Sequence, residues 1–148
     1  MERTSTLSNR SKKAQVWIAR LGHAGFEVLL FRVREERGGG WHPVTGGVEP
    51  GETFLQGAKR ELSEETGFDP ELGTWRDLEV ELEFESRFGK AKEHAFGFLL
   101  SIPDSEPVLD PNEHVEFRWE SIDRATRMIS YEFQRDALRR FSCYLVKS

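Results

Sequence analysis

The stretch GGVEPGETFLQGAKRELSEETGF, Gly46 to Phe68, decides how this 148-residue chain is read. Its first seven residues, Gly46 to Glu52, hold three glycines and Pro50 and predict a structured loop. Thr53 is a natural N-cap, since its hydroxyl can satisfy free amide groups of a first helical turn. Phe54, Leu55, Ala58 and Leu62 then form an apolar stripe, so a helix is expected to about Thr66, with Gly67 as its C-terminal stop. On that helix Glu61, Glu64 and Glu65 stand at i, i+3 and i+4, which places them on one face directly after Arg60. Three carboxylates so placed repel one another. Taken alone, KRELSEE reads as a solvated face with ordinary ion pairs. A hard cation such as Mg²⁺ or Mn²⁺ would instead turn the repulsion into binding, because both prefer carboxylate oxygens. A cation beside a glycine-rich loop is in turn a place for a polyphosphate.

Outward from this segment, Ala14–Leu21 and Phe26–Val33 read as two strands of a hairpin that turns through His23, Ala24 and Gly25. Trp41–Thr45 is short and extended, with Pro43 disfavouring helix at His42. Downstream, Leu78–Phe84 alternates apolar and acidic residues as a half-buried strand does. His94–Ile102 and His114–Glu120 are further strands, separated by a loop with three prolines. Ser121 caps a short helix to Met128. Tyr131–Val146 is a longer helix with Phe133, Ala137, Leu138, Phe141 and Leu145 inward. The order β-β-β-α-β-β-β-α predicts helices on a mixed sheet in an α/β fold. Residues 1–13 are expected as a frayed polar arm and 14–148 as one domain.

Bulk properties narrow the partners. A net charge of −5 gives no general attraction to nucleic acid or anionic membrane. The one cysteine, Cys143, excludes an internal disulfide and a cysteine-based zinc site, and fits a reducing cytoplasm. No apolar run approaches the roughly 20 residues of a membrane span, and the N-terminus lacks the apolar region of a secretory signal.

The spacing Gly46, five residues, Glu52, seven residues, then Arg60-Glu61-Leu62-Ser63-Glu64-Glu65-Thr66-Gly67 resembles the Nudix box at every fixed position. The resemblance covers Gly46 to Phe68 and implies the α/β/α sandwich of the Nudix hydrolases. It further implies that Glu64 and Glu65 ligate the metal and that Glu61 joins them or accepts a proton from the attacking water. Arg60 would orient a neighbouring glutamate by bidentate hydrogen bonding, and Glu52 would complete the metal site directly or through water. Gly46 and Gly47 would bring bare backbone to the ligand. The implied reaction is attack by water on a phosphorus of a diphosphate linkage.

The segment Trp41-His42-Pro43-Val44-Thr45-Gly46-Gly47 resembles the dihydroneopterin triphosphate diphosphatase branch, also called dATP pyrophosphohydrolase. Glu113-His114, Arg118-Trp119 and Phe133-Gln134-Arg135-Asp136-Ala137 add to the likeness; Gly73–Gly89 does not. In that branch a glutamate beyond the box assists the metal. Glu113 matches it, as an added ligand or the general base; the alternative is a plain loop carboxylate. Arg34 is a candidate for substrate phosphates or an ordinary surface arginine. Trp41 is a candidate for stacking on a base or pterin, against aromatic packing as the default. Glu93 and His94 are expected in structural or surface roles.

The expected function is Mg²⁺- or Mn²⁺-dependent hydrolysis of a nucleoside triphosphate such as dATP, or of dihydroneopterin triphosphate, to the monophosphate and pyrophosphate. The alternatives are a dinucleoside polyphosphate, a nucleotide sugar or an RNA 5′ end as substrate, and a non-catalytic nucleotide-binding module. The acidic charge disfavours long RNA. By analogy with the family a homodimer is a candidate assembly.

Overall fold

The structure is a computed structural model that describes residues 11–87, 89–112 and 114–147. Ten elements follow one another: β1 (Lys12–Gly22), β2 (Gly25–Val33), β3 (Trp41–His42), β4 (Val44–Gly47), α1 (Phe54–Thr66), β5 (Gly73–Ser86), β6 (Gly89–Leu100), β7 (His114–Ser121), α2 (Ile122–Met128) and α3 (Glu132–Lys147). A short 3₁₀ turn, Glu35–Arg37, joins β2 to β3.

The continuous apolar run of β1 explains the layering. Ala14, Val16 and Ile18 bury on one face with Ala58 and Leu62 of α1. Trp17 and Ala19 bury on the other with Ala125 of α2 and Ala137, Leu138, Phe141 and Leu145 of α3. A strand covered on both faces needs no polar alternation. The result is the expected α/β/α sandwich, with a mixed sheet in the order β3-β2-β1-β6-β5. β1 and β6 run parallel, and the other pairings are antiparallel.

One edge of β1 is shared. β2 pairs with Ala19–Gly22, while β4 takes Lys13–Val16. This split places the start of the Gly46–Phe68 segment in the sheet. Gly46 and Gly47, expected in a loop, are strand residues opposite Ala14 and Lys13. The same ladder, with Lys12–Lys92 and Lys13–Glu93 partners on β6, starts β1 at Lys12 rather than Ala14. Lys12 and Lys13, expected within the polar arm, are strand residues, and residues 1–10 lie outside the described residues.

α1 has the expected bounds because its ends are set locally. Thr53 Oγ1 accepts from the Gln56 amide at 3.1 Å, and Gln56 Oε1 accepts from the Thr53 amide at 2.8 Å. Such a reciprocal box contributes about 1 kcal/mol. Gly67 closes the helix at φ 74°, its amide donating to the Ser63 carbonyl. β5 and β6 are longer than their sequence patterns predict. They form a hairpin interrupted between Asp77 and Glu81, where Glu79 takes a positive φ of 56°. Beyond that bulge Leu82 and Phe84 lie past the core, and Leu82 is 41% exposed.

Candidate active site

Arg60 is the organising side chain. Its Nε and Nη2 donate to Glu52 Oε2 and Oε1 at 2.8 and 3.0 Å, a bidentate clasp. Nη2 also donates to the Gly47 carbonyl at 2.7 Å, tying α1 to the end of β4. Nη1 donates to Glu61 Oε1 at 3.0 Å and Glu64 Oε1 at 3.2 Å. The Arg60 bonds hold the Glu52 carboxyl below its ordinary range. The clasp also raises the guanidinium's already high pKa. Glu52 accepts from the Glu49 amide as well, at 2.8 Å. Both its oxygens are thereby engaged, and Glu52 anchors Arg60.

Glu61 lies inward of this clasp. Burial pushes its carboxyl up, while Arg60 works in the opposite direction. Glu61 and Glu65 are within hydrogen-bonding reach of each other. The Glu61 side chain fills the space that a Cβ on Gly46 would need, so only glycine lets the carboxylate lie on that strand. Glu65 is buried, with Oε1 3.8 Å from Nδ1 of the buried His114. The His114 ring stacks on Phe31 at 4.7 Å. Glu64 is the exposed member, at 59%. Glu113 lies outside the described residues.

The donor chemistry suits a hard divalent cation. Glu61 and Glu65 bring carboxylate oxygens together in a partly desolvated place, where a cation would relieve their repulsion. Among the described residues no three acidic, imidazole or thiol side chains converge as a finished cage. A cation held by fewer carboxylates would need substrate or water oxygens to complete its coordination.

A cleft of about 1030 Å³ opens beside this cluster. Gly46, Gly47 and Glu65 line its end beside the acidic cluster, and Lys13 and Arg37 add positive charge to its walls. Leu82 and Phe84 from the β5–β6 hairpin and Phe133 at the start of α3 supply apolar surface. The lining thus joins apolar surface to side chains of both charges, Glu93 and Glu132 among the negative ones.

Arg34 and Trp41, the other candidate substrate contacts, are not among the residues that form this cleft. Arg34 Nε donates to the Pro111 carbonyl at 2.8 Å, which directs it to the loop before β7. Trp41 packs on the core layer of α2 and α3, with the Arg118 guanidinium 5.1 Å from its ring. Sequence reasoning missed Glu93 and Gln134 as cleft residues. Glu93 was expected in a structural or surface role, yet it lines the cleft, accepting from Gln15 Nε2 at 2.8 Å. That pairing spans 78 residues and leaves no local signature. His94 instead faces away from the cleft, between Asp77 and Glu81.

Comparison with known proteins agrees with this geometry. A model of the NUDIX domain matches residues 12–141. The chain is 34% identical over 119 residues to the octanoyltransferase of Myxococcus xanthus, a match covering 76% of this chain and 31% of that protein. It therefore spans about a third of that relative's length. It is 31% identical over 111 residues to the dihydroneopterin triphosphate diphosphatase of Escherichia coli K12, covering 68% of this chain and 73% of the relative. A solved Ap4A hydrolase complex from C. elegans superposes with a TM-score of 0.80 at 27% identity, over 93% of this chain and 99% of that one. Box, sandwich and family model converge, and the chain belongs to the Nudix hydrolases.

Proposed function

We propose that this chain is a divalent-metal-dependent pyrophosphohydrolase. Its substrate is a nucleoside triphosphate such as dATP, or dihydroneopterin triphosphate, cleaved to the monophosphate and pyrophosphate. The observation that carries this reading is continuity: Gly46, Gly47 and Glu65 belong both to the carboxylate-bearing segment and to the wall of the large cleft. A ligand whose ring lies in the cleft can therefore extend its phosphates to the acidic cluster.

Nudix hydrolases generally use divalent metals, and Glu61, Glu64, Glu65 and Glu113 are the residues that would hold one here, Mg²⁺ or Mn²⁺. Such a cation supplies charge neutralisation on the phosphates and an acidified water. The chain's own residues do the rest. Arg60 holds Glu61 and Glu64 in register and pins the Gly47 backbone. Glu61 or Glu113 takes the proton as water oxygen bonds to phosphorus. The bridging P–O bond breaks, and the leaving phosphate group keeps its electron pair. Gly46 leaves room for the Glu61 carboxylate over its own backbone, and Gly47 brings no side chain to the strand end that would meet the phosphates.

A second reading, a dinucleoside polyphosphate substrate, is favoured by the likeness to the C. elegans Ap4A hydrolase over nearly the whole fold. Product analysis separates the two. Purified protein with Mg²⁺ is offered dATP, dGTP, dihydroneopterin triphosphate and diadenosine tetraphosphate. Release of pyrophosphate from a triphosphate supports the proposal. Turnover of diadenosine tetraphosphate alone supports the second reading, and binding without any turnover would favour a sensor.

A further inference from the structure

The inner wall of the cleft carries two polar pairs that the phosphate chemistry does not use. In the first, Gln15 Nε2 donates to Glu93 Oε2 at 2.8 Å. The buried Gln15 Oε1 has no partner among the described residues, and the Glu93 carboxylate, bonded through Oε2, lines the cleft. In the second, His42 Nε2 lies 2.8 Å from the Gly39 carbonyl. A carbonyl only accepts, so Nε2 carries a proton, and in the neutral ring Nδ1 then offers a lone pair. Gln134, 3.2 Å from that Nδ1, must therefore turn its amide nitrogen toward it. This fixes Gln134 Oε1 as the atom left over, and it is buried with no partner among the described residues. Gln134 is 7% exposed and lines the same cleft, so the orphaned acceptor belongs to a built wall rather than to a mobile surface amide.

An unmade hydrogen bond at a buried acceptor costs stability, and such a group in a cleft is explained by a ligand donor that restores the bond. The Glu93 carboxylate and the Gln134 amide oxygen, the groups of these pairs that line the cleft, both accept. The four common bases and the pterins differ in what they present to such a pair. Adenine and cytosine place an acceptor beside their amino group, and uracil and thymine place one lone N–H between two carbonyls. Guanine and pterins carry an amino-lactam edge, with a ring N–H next to an amino group, and so present adjacent donors.

We infer that Glu93 and Gln134 form a specificity subsite for the amino-lactam edge of a guanine- or pterin-type ring. This rests on the proposed triphosphate reading and narrows it, favouring a dihydropterin or guanine triphosphate over dATP. Leu82, Phe84 and Phe133 supply the apolar walls between which such a ring would lie. Burial pushes the Glu93 carboxyl up, with Gln15, Lys13 and His42 working in the opposite direction, so a ligand donor at the carboxylate would relieve part of that burial cost.

Equilibrium binding separates this subsite from catalysis. GMP, IMP, AMP and neopterin are titrated calorimetrically into the wild-type chain and into Glu93→Gln and Gln134→Leu, each checked for an unchanged thermal transition. GMP and neopterin are expected to bind at least about tenfold more tightly than AMP, with IMP between because it lacks the amino group. Glu93→Gln, which presents a donor where an acceptor stood, is expected to bring GMP and AMP to within about threefold. Gln134→Leu should weaken GMP with little change for AMP. Equal or tighter binding of AMP, no measurable binding of any ring, or an unchanged GMP-to-AMP ratio in both variants would overturn the assignment. Loss of turnover on all triphosphates with the GMP preference intact would instead overturn the proposed reaction and leave the subsite standing.

Discussion

The carboxylate of Glu61 lies against the backbone of Gly46, in the volume that a Cβ there would fill. Strand β4 and helix α1 are thereby locked by a glycine on one side and an acid on the other. Gly46→Ala should displace Glu61 without touching the core. Because misplacement of about 1 Å costs on the order of 100-fold in rate, turnover should fall by about that factor while the fold persists. Steady-state kinetics beside a thermal melt read both, and unchanged turnover would show that the Glu61 position is not critical.

Arg60 makes five side-chain hydrogen bonds, to Glu52 twice, Glu61, Glu64 and the Gly47 carbonyl. Lysine has the charge but not the planar fork. Arg60→Lys should therefore lose both stability, by about 1–3 kcal/mol, and metal affinity. Urea denaturation measures the first and Mn²⁺ titration the second. Wild-type values for both would mean that charge alone suffices.

Thr53 and Gln56 complete a capping box at the start of α1. Thr53→Ala should cost about 1 kcal/mol of stability, by urea denaturation, with kcat little changed because α1 keeps its packing through Ala58 and Leu62. A large fall in kcat would show that the helix start is itself coupled to the chemistry.

His94 bridges the two sides of the β5 bulge, with Nε2 2.6 Å from Asp77 Oδ1 and Nδ1 2.7 Å from Glu81 Oε2. Burial opposes the imidazolium, but the bonds to Asp77 and Glu81 outweigh it, so the folded-state pKa is raised above 6.5. The charged form is thus favoured on folding. Its contribution is fully present below about pH 6.5 and is lost as pH rises through the raised value. Thermal melts from pH 6 upward should show declining stability that His94→Gln removes. A slope identical in the variant would assign the pH dependence to other groups.

Local chemistry made α1 legible to the residue, since Thr53 and Gly67 fix its ends within the segment itself. Ser121 marks the start of α2 in the same way, accepting from the Arg124 amide. What escaped was non-local. Gly46 and Gly47 look like loop residues until β1 supplies their ladder partners. Gly73–Asp77 has no apolar alternation to declare it a strand, and its ladder partners, Phe96 to Leu100, come from β6. The carboxylates of the box were readable as a face of one helix. The cleft was not, because Glu93 and Gln134 come to it from β6 and α3, elements far from the box in sequence.

The central claim is that the α1 carboxylates hold a cation that drives phosphoanhydride cleavage. Its most direct measure is the Mg²⁺ dependence of pyrophosphate release by wild type, Glu64→Gln and Glu65→Gln. The exposed Glu64 makes its variant a near-neutral change to folding, within about 0.5 kcal/mol. Wild-type activity is expected to vanish on chelation and to return with Mg²⁺. Both variants should lose at least about a hundredfold in turnover with their folds retained. Full Mg²⁺-supported activity in both variants, or undiminished wild-type turnover after chelation, would contradict it.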